Sequence, residues 1–279
     1  MQSPTLHFSK TRIAPTPSGY LHLGNALSFA LTASLAKKYG AKILLRIDDL
    51  DRGRVNPQYV QDIFDTLNFL EIPWDEGPRN MQEYENAWSQ LHRMDTYQNA
   101  LQQLKESGAV YACTCSRTQI HTCTCRDKDI SLDTENVSWR LRTNHERELS
   151  ITTLNEGIIK PKLPAEMKDF MVKKKDGYPA YQLTSLIDDL HFGIDLIVRG
   201  EDLWPSTVAQ HYLAEALQQP GFQKITFHHH PLIMESGDKK LSKSAGATSI
   251  KYLRENGKTM ADVYKAMMSM GGTGFVPSV

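Results

Sequence analysis

The first third of the chain alternates short apolar runs with a longer stretch of helical spacing. Residues 8–14 (FSKTRIA) and 41–48 (AKILLRID) are apolar runs of strand length, and residues 24–39 between them carry apolar side chains at helical spacing. The near-continuous run at 41–48 is typical of a strand buried in a parallel sheet. Gly40 suits the C-cap of the intervening helix. This order predicts a βαβ unit, and therefore a parallel sheet with a right-handed crossover.

The same reading predicts further elements along the chain. Asn56 and Pro57 have the residue types of an N-cap and of a first helical position, so a helix is expected from residue 57. Periodicity predicts helices over 82–107, over 206–218 and from about 262, and a strand in FHHHPLIM from residue 227. Residues of a strand alternate between its faces, so the three histidines 228–230 are not expected to converge on one metal ion.

The pattern changes between residues 110 and 164, where cysteines, polar residues and short alternating runs replace the longer periodic stretches. We interpret this segment as an inserted small subdomain. The predicted organisation is a first half of the catalytic domain over 1–109, the inserted subdomain over 110–164, and the second half over 165–279.

Composition places the chain among ordinary globular proteins. It has 279 residues, 40% of them apolar and 23% charged, with a formal net charge of +0. A surface that binds nucleic acid is therefore expected only as a local patch. The first residues form no signal-peptide core, and no run reaches about 18 apolar residues. We therefore expect a cytoplasmic protein without membrane association.

The four cysteines form two C-x-C pairs within one short segment, Cys113, Cys115, Cys123 and Cys125. Disulfides are rare in the cytoplasm, so the spacing favours a metal. Two close pairs can surround one tetrahedral Zn²⁺ with sulfur ligands, leaving no open position for catalysis. A structural zinc site is expected, and an empty thiol cluster is the alternative.

The stretch RIAPTPSGYLHLGN, residues 12–25, is a proline-stiffened turn between the first strand and the first helix. The first amides of a helix attract anions, and Gly24 allows a ligand to approach the backbone closely. His22 lies at the mouth of this turn. The pattern is compatible with a nucleotide-phosphate site and equally with a stiff connecting turn that carries a solvated histidine. No G-x-G-x-x-G follows the first strand, which argues against a dinucleotide-binding dehydrogenase.

PTPSGYLHLGN resembles the first signature of the class I aminoacyl-tRNA synthetases in its glutamyl form, with Asn25 where the general signature has histidine. KLSKS, residues 240–244, resembles their second signature, Lys-Met-Ser-Lys-Ser. LLRIDDLDRGR, LNFLEIPWDEGP and IVRGEDLWPSTVAQ are also similar to stretches of the glutamyl family, so that the resemblance covers about residues 11–270. It implies an α/β fold with the Rossmann-type parallel sheet of this class.

The chain ends about 35 residues after KLSKS, and we expect no anticodon-binding domain. In this it resembles the short paralogues of the family, the glutamyl-Q tRNA(Asp) synthetases, as do AYQLTSLIDDL and RGEDLWPSTVAQ. Those proteins activate glutamate with ATP and attach it to queuosine in the anticodon of tRNA(Asp). The resemblance implies a monomer whose partners are tRNA(Asp), ATP and glutamate. A truncated enzyme that charges a tRNA 3′ end and a non-catalytic, zinc-bearing RNA-binding relative are the alternatives.

The resemblance also implies site residues. The catalytic groups are His22 and Lys243, and Mg²⁺ is expected with ATP. The implied ATP-binding residues are Pro15, His22, Gly24, Asn25, Lys240, Ser242 and Lys243. The implied glutamate-binding residues are Arg12, Ala14, Thr16, Asp48, Tyr181 and Arg199.

Two positions depart from the family pattern. The family has Glu where this chain has Asp48, which keeps the charge for the substrate ammonium but shortens its reach and leaves glutamine open as the amino acid. The short paralogues bind zinc through C-x-C, a tyrosine and a final cysteine. In this chain Cys123, or alternatively His121, takes the place of the tyrosine, and Cys125 matches the last ligand.

Overall fold

The computed structural model describes residues 6–116, 118–232, 234–235, 239–240 and 249–269, and for residues 121, 234, 235, 239 and 240 it describes the backbone only. The chain forms two compact units. The first consists of the described parts of 1–92, 194–203 and 227–279, and the second of those of 93–193 and 204–226. The inserted subdomain predicted over 110–164 falls within the second unit, and its bounds stay a prediction.

Helices and strands follow one another along the whole described chain. The α-helices are α1 (Leu23–Tyr39), α2 (Pro57–Phe69), α3 (Met81–Glu83), α4 (Met94–Glu106), α5 (Tyr181–His191), α6 (Trp204–Ala216), α7 (Ile250–Glu255) and α8 (Met260–Ser269). The strands are β1 (Lys10–Ile13), β2 (Lys42–Leu45), β3 (Val110–Cys113), β4 (Ser138–Leu141), β5 (Ile151–Thr153), β6 (Gly157–Ile159), β7 (Met171–Lys173), β8 (Leu196–Gly200), β9 (Thr226–His230), β10 (Met234–Glu235) and β11 (Lys239–Lys240). Within the described residues, no helix combines the length and the apolar character needed to cross a membrane.

The first unit is built on parallel strands, as predicted. β1 and β2 pair in parallel, with Arg12 opposite Leu44. β8 lies beside β1, since the Asp195 amide donates to the Lys10 carbonyl at 3.0 Å and the Asp195 carboxylate accepts from the Lys10 amide at 2.9 Å. All five residues of β8 are buried, which is expected of a strand inside a parallel sheet.

α1 connects β1 to β2 and confirms the predicted βαβ unit. It begins one residue earlier than the periodicity indicates. Gly40 ends it in the left-handed conformation at φ 72°, and its amide donates to the Ala36 carbonyl. Lys37 and Lys38 lie in the last turn, where positive charge complements the helix dipole. α2 likewise starts as predicted, with the Asn56 side chain accepting from the Gln58 amide at 2.9 Å.

The continuous helix predicted over 82–107 is wrong. The chain instead forms α3, a π-helical turn at Tyr84–Trp88, an extended residue Ser89, a 3₁₀ turn at Gln90–Arg93, and then α4. The cause is a distant carboxylate: Asp49 accepts hydrogen bonds from the Ser89 hydroxyl at 2.6 Å and from the Gln90 amide at 2.9 Å. An amide donated to a side chain is lost to the helix ladder, so the helix breaks there.

Smaller differences lie nearer the C-terminus. α6 starts two residues before the predicted helix, with Pro205 in its first turn, where a missing amide is tolerated. α7 was not predicted. It is a short helix whose N-cap, Ser249, accepts from the Tyr252 amide at 3.1 Å.

The second unit contains an antiparallel sheet in the order β3-β4-β7 and the antiparallel pair β5-β6. In this unit Arg93, which immediately precedes α4, forms a buried ion pair with Asp188 of α5 and binds both of its oxygens, at 2.8 and 3.0 Å. The Tyr97 hydroxyl adds a hydrogen bond of 2.6 Å to the same carboxylate. A buried carboxylate with three such bonds is well satisfied, so this contact orders the core of the unit.

Candidate functional site

The turn that follows β1 and the loop that follows β2 are bound to each other in the first unit. The Arg46 amide donates to the Ile13 carbonyl, and the Asp48 amide donates to the Pro15 carbonyl, both at 2.9 Å. These bonds continue the parallel pairing beyond the ends of both strands. The carboxyl ends of parallel strands are the usual place for a ligand site in α/β proteins, and here they bring the turn at 13–15 to the predicted substrate residue Asp48.

His22 is the N-cap of α1. Its Nδ1 accepts from the amides of Gly24 at 3.1 Å and Asn25 at 3.3 Å, and the Asn25 side-chain oxygen accepts from the His22 amide at 3.1 Å. The two side chains therefore form a reciprocal capping box. Because Nδ1 accepts, the ring carries its proton on Nε2, and His22 is held as a neutral donor at the start of the helix.

Gly24 is the residue that leaves room for this ring. A Cβ at position 24 would lie 3.0 Å from Cε1 and 3.1 Å from Nδ1 of His22. A larger residue here would require the imidazole to shift by a few tenths of an ångström. Asn25, where the general signature has histidine, completes the cap instead of presenting a second imidazole.

A second group of predicted residues is buried at the ends of β1 and β8. Arg12 is 5% exposed, and its guanidinium donates to the Val198 carbonyl at 3.3 Å. Arg199 is 3% exposed, and its guanidinium lies 5.3 Å from the ring centre of Phe227, on β9. Two buried guanidinium groups provide the bidentate donors that match carboxylates.

His229 belongs to the same group and was not among the predicted site residues. Its ring stacks on Phe227, with centroids 6.1 Å apart and planes 7° apart. Burial, together with the nearby charges of Arg199 and Arg12 and with the flanking histidines, lowers the pKa of His229 to about 3. His229 is therefore neutral near pH 7 and adds no further positive charge near the two arginines.

Asp48 is engaged within the protein. Arg46 binds both of its oxygens, at 2.7 and 3.0 Å, and both side chains are buried. The charge expected to hold a substrate ammonium thus has an internal counter-ion. Each carboxylate oxygen has two acceptor sites, so pairing with Arg46 does not by itself prevent Asp48 from accepting another donor.

Asp49, next to Asp48, is a residue whose role the motifs did not reveal. It is fully buried and accepts from the Tyr84 hydroxyl at 2.7 Å and from Arg52 at 3.0 Å, in addition to its two bonds with Ser89 and Gln90. Its neighbours Asp48 and Asp51 are acidic as well, so sequence alone could not tell which of the three is structural.

The other predicted residues are placed as follows. Ala14 and Thr16 are half-buried in the turn after β1. Tyr181 is the first residue of α5 in the second unit and is 41% exposed. Ser242 and Lys243 lie outside the described residues, and Lys240 is described in its backbone only. The roles of these residues stay predictions.

The four cysteines of the second unit converge. Their sulfur atoms all lie within 4.8 Å of one another, with Cys113 to Cys123 at 3.6 Å and Cys115 to Cys125 at 3.7 Å. Four ligands at about 2.3 Å from a tetrahedral zinc ion lie about 3.8 Å apart, so the spacing fits this geometry. The four residues could hold a metal ion. The side chain of His121 lies outside what the structure describes, and its alternative role stays a prediction.

The surroundings of the cysteines differ from one sulfur to another. At Cys125 burial is outweighed by hydrogen bonds from the backbone and hydroxyl of Thr114, and the pKa falls to about 6. At Cys123 burial raises the pKa to about 12. A metal bound here would hold all four as thiolates, and amide-to-sulfur bonds such as Cys125 to Cys123, at 3.4 Å, would stabilise that charge.

Similarity to known proteins extends over almost the whole chain. The family described as "tRNA synthetases class I (E and Q), catalytic domain" matches residues 9–151 and 127–274. A glutamate–tRNA ligase of Coprothermobacter proteolyticus is 31% identical over 95% of this chain and 58% of its own length. The chain thus spans little more than half of that relative.

A second curated relative and a solved structure are also similar to this chain. A glutamyl-Q tRNA(Asp) synthetase of Pseudomonas aeruginosa is 37% identical over 84% of this chain and 76% of its own length. The crystal structure of a glutamate tRNA ligase from Elizabethkingia meningosepticum, in complex with its amino acid, superposes with a TM-score of 0.69 at 24% identity. It covers 85% of this chain and 52% of that one, and it supports the fold.

Proposed function

Because this chain belongs to the class I tRNA synthetases of the glutamate and glutamine type, we propose that it activates glutamate with ATP and transfers it to queuosine in the anticodon of tRNA(Asp). The observation that carries the proposal is the combination, in one compact unit, of a histidine-capped helix start with two buried arginines at neighbouring strand ends. The helix start suits a phosphate group, and the two arginines suit carboxylates.

In the activation step, an oxygen of the glutamate α-carboxylate attacks the α-phosphorus of ATP. The bond from that phosphorus to the oxygen bridging to the β-phosphate breaks, and pyrophosphate leaves with the bonding electrons. Negative charge grows on the phosphate oxygens, and preorganised donors stabilise it. The Nε2 proton of His22, the first amides of α1 and the ammonium of Lys243 would supply these donors. We expect Mg²⁺ to accompany ATP, because it offsets charge on the phosphates.

The amino acid would bind next to this site. Arg12 and Arg199 would hold carboxylate groups, and the neutral His229 would add no charge of its own. The carboxylate of Asp48, oriented by Arg46, would accept from the ammonium. Glutamate suits this arrangement better than glutamine, because two buried guanidiniums favour a negatively charged side chain over a neutral amide.

The acceptor of the glutamyl group distinguishes two candidates. Transfer to queuosine is favoured by the glutamyl-Q relative at 37% identity, whereas charging of a tRNA 3′ end is favoured by the glutamate–tRNA ligase relative at 31%. In either case the nucleophile attacks the acyl carbon of glutamyl-adenylate, AMP leaves, and the attacking group loses its proton.

Transfer of radiolabelled glutamate in the presence of ATP tests the proposal. Three acceptors are compared: tRNA(Asp) with queuosine, tRNA(Asp) without it, and tRNA(Glu). We expect label on the first alone. Label on tRNA(Glu) would make the chain a charging enzyme, and the absence of label on all three would contradict glutamate transfer altogether.

We further propose that the four cysteines hold a structural zinc ion. Purified protein should contain about one zinc per chain, and its removal should unfold the segment 113–125. Structural zinc sites contribute several kcal/mol, so we expect the melting temperature to fall by more than about 5 °C. Atomic emission spectrometry measures the zinc content per chain, and scanning calorimetry measures the melting temperature.

Matched variants in the same loop sharpen this test. Cys123→Ser should lose the zinc, whereas Thr122→Ala should retain it, because the Thr122 hydroxyl bonds only to the backbone of Gln119 among the described residues. Equal zinc content in both variants would contradict the proposed ligand set.

A further inference from the structure

Residues Tyr20–His22, which end the turn before α1, are held from two sides. The Leu21 amide donates to the Asp62 carboxylate on α2 at 3.3 Å, and the Leu21 carbonyl accepts from the Ile250 amide on α7 at 2.7 Å. Leu21 itself is buried. Both backbone groups of the residue that precedes His22 are therefore fixed by neighbouring helices.

Side chains reinforce the contact with α7. The Lys251 ammonium donates to the Tyr20 hydroxyl at 3.1 Å and lies 4.4 Å from the centre of its ring. On the other side, the Tyr20 ring meets Tyr59 of α2 edge-on, with centroids 5.0 Å apart. His22 and Ser249 also form an isolated antiparallel bridge.

Asp62 is the group that links these contacts. Its side chain is 3% exposed, and it meets the Arg254 guanidinium of α7 at 3.6 Å as well as the Leu21 amide. Burial raises its pKa, which the Leu21 amide and the charge of Arg254 oppose. A buried carboxylate that binds two elements at once is costly to place, and its removal leaves the Leu21 amide without its acceptor.

We propose that Asp62 is a positioning residue of the nucleotide site, which acts through Leu21 and Arg254 to fix His22 and the first amides of α1. This inference rests on the proposed ATP site at that helix start. Small displacements of preorganised donors have large effects on the affinity for charged groups, because the donors must already point at the phosphate oxygens.

The test compares three variants. Asp62→Ala removes the acceptor of the Leu21 amide. Asp62→Asn keeps the shape and one acceptor oxygen. Asp65→Asn is the matched control, because Asp65 lies one turn along the same helix and also meets Arg254, at 3.4 Å, but is more exposed and bonds to Arg254 rather than to the turn. ATP binding is measured by equilibrium dialysis, together with the KM values for ATP and glutamate in pyrophosphate exchange.

We expect Asp62→Ala to weaken ATP binding on the order of tenfold, with the glutamate KM changed by less than about twofold. Asp62→Asn should recover most of this loss, and Asp65→Asn should bind ATP like the wild type. Wild-type ATP affinity in folded Asp62→Ala would overturn the inference, as would an equal rise of both KM values. If Asp62→Ala does not fold, Arg254→Met should still weaken ATP binding, and unchanged affinity would overturn it.

The same measurements separate this inference from the proposed function. ATP binding without glutamate-dependent exchange would overturn the proposed activity and leave the role of Asp62 to be decided by the variants. A wild-type protein that binds no ATP would overturn both.

Discussion

His22→Asn should lower glutamate-dependent pyrophosphate exchange by about a hundredfold while leaving α1 folded. Asparagine is a strong N-cap residue, and its side-chain oxygen can accept from the amides that Nδ1 of His22 now binds. It cannot present a donor where the Nε2 proton lies, and the loss of one preorganised donor typically costs two to three orders of magnitude. Exchange is measured with tRNA present and absent, and circular dichroism monitors the helix.

A second histidine in the first unit supplies the control. His92 is exposed and contacts the Glu85 carbonyl at 2.7 Å, away from the helix start, so His92→Asn should leave exchange unchanged. Exchange by His22→Asn within about threefold of the wild type would contradict the role assigned to the imidazole. Equal losses in both variants would point to a general effect of replacing histidine.

Arg12→Met should raise the KM for glutamate by about a hundredfold and leave the KM for ATP nearly unchanged. Methionine fills a similar volume but removes a buried guanidinium, and charge-assisted bonds of this kind contribute about 1.5–3 kcal/mol each. The Val198 carbonyl also loses its bond to Arg12, so a small decrease in melting temperature is expected. Steady-state exchange kinetics with each substrate varied in turn measure the effect.

Lys10→Met, on the same strand, is the matched control. The Lys10 ammonium pairs with Glu76 at 2.7 Å and is partly exposed, so its removal should change neither KM. A parallel rise of the ATP and glutamate KM values in Arg12→Met would indicate a loss of structure rather than of a carboxylate contact. No change in either would exclude Arg12 from the amino-acid site.

Elements whose signals lie within a few residues were predictable. α1 and α2 start within one residue of the expected positions, and α1 ends at Gly40 as expected, because the caps act on amides and carbonyls of adjacent turns. The thiol cluster was predictable for the same reason: four cysteines within one short segment can reach a common point whatever surrounds them. The roles proposed for Arg12 and Arg199 rest on family resemblance, since nothing in their local pattern relates residues so far apart.

Contacts between distant segments decided the rest. The break at Ser89 depends on Asp49, 40 residues earlier, and no periodicity in residues 82–107 reveals a carboxylate that is brought there by folding. The low pKa of His229 and the contact of Asp62 with Leu21 are likewise products of burial. Caps and turns use hydrogen bonds to near neighbours and can be identified from sequence, whereas the partner of a buried charge depends on which segments the hydrophobic core brings together.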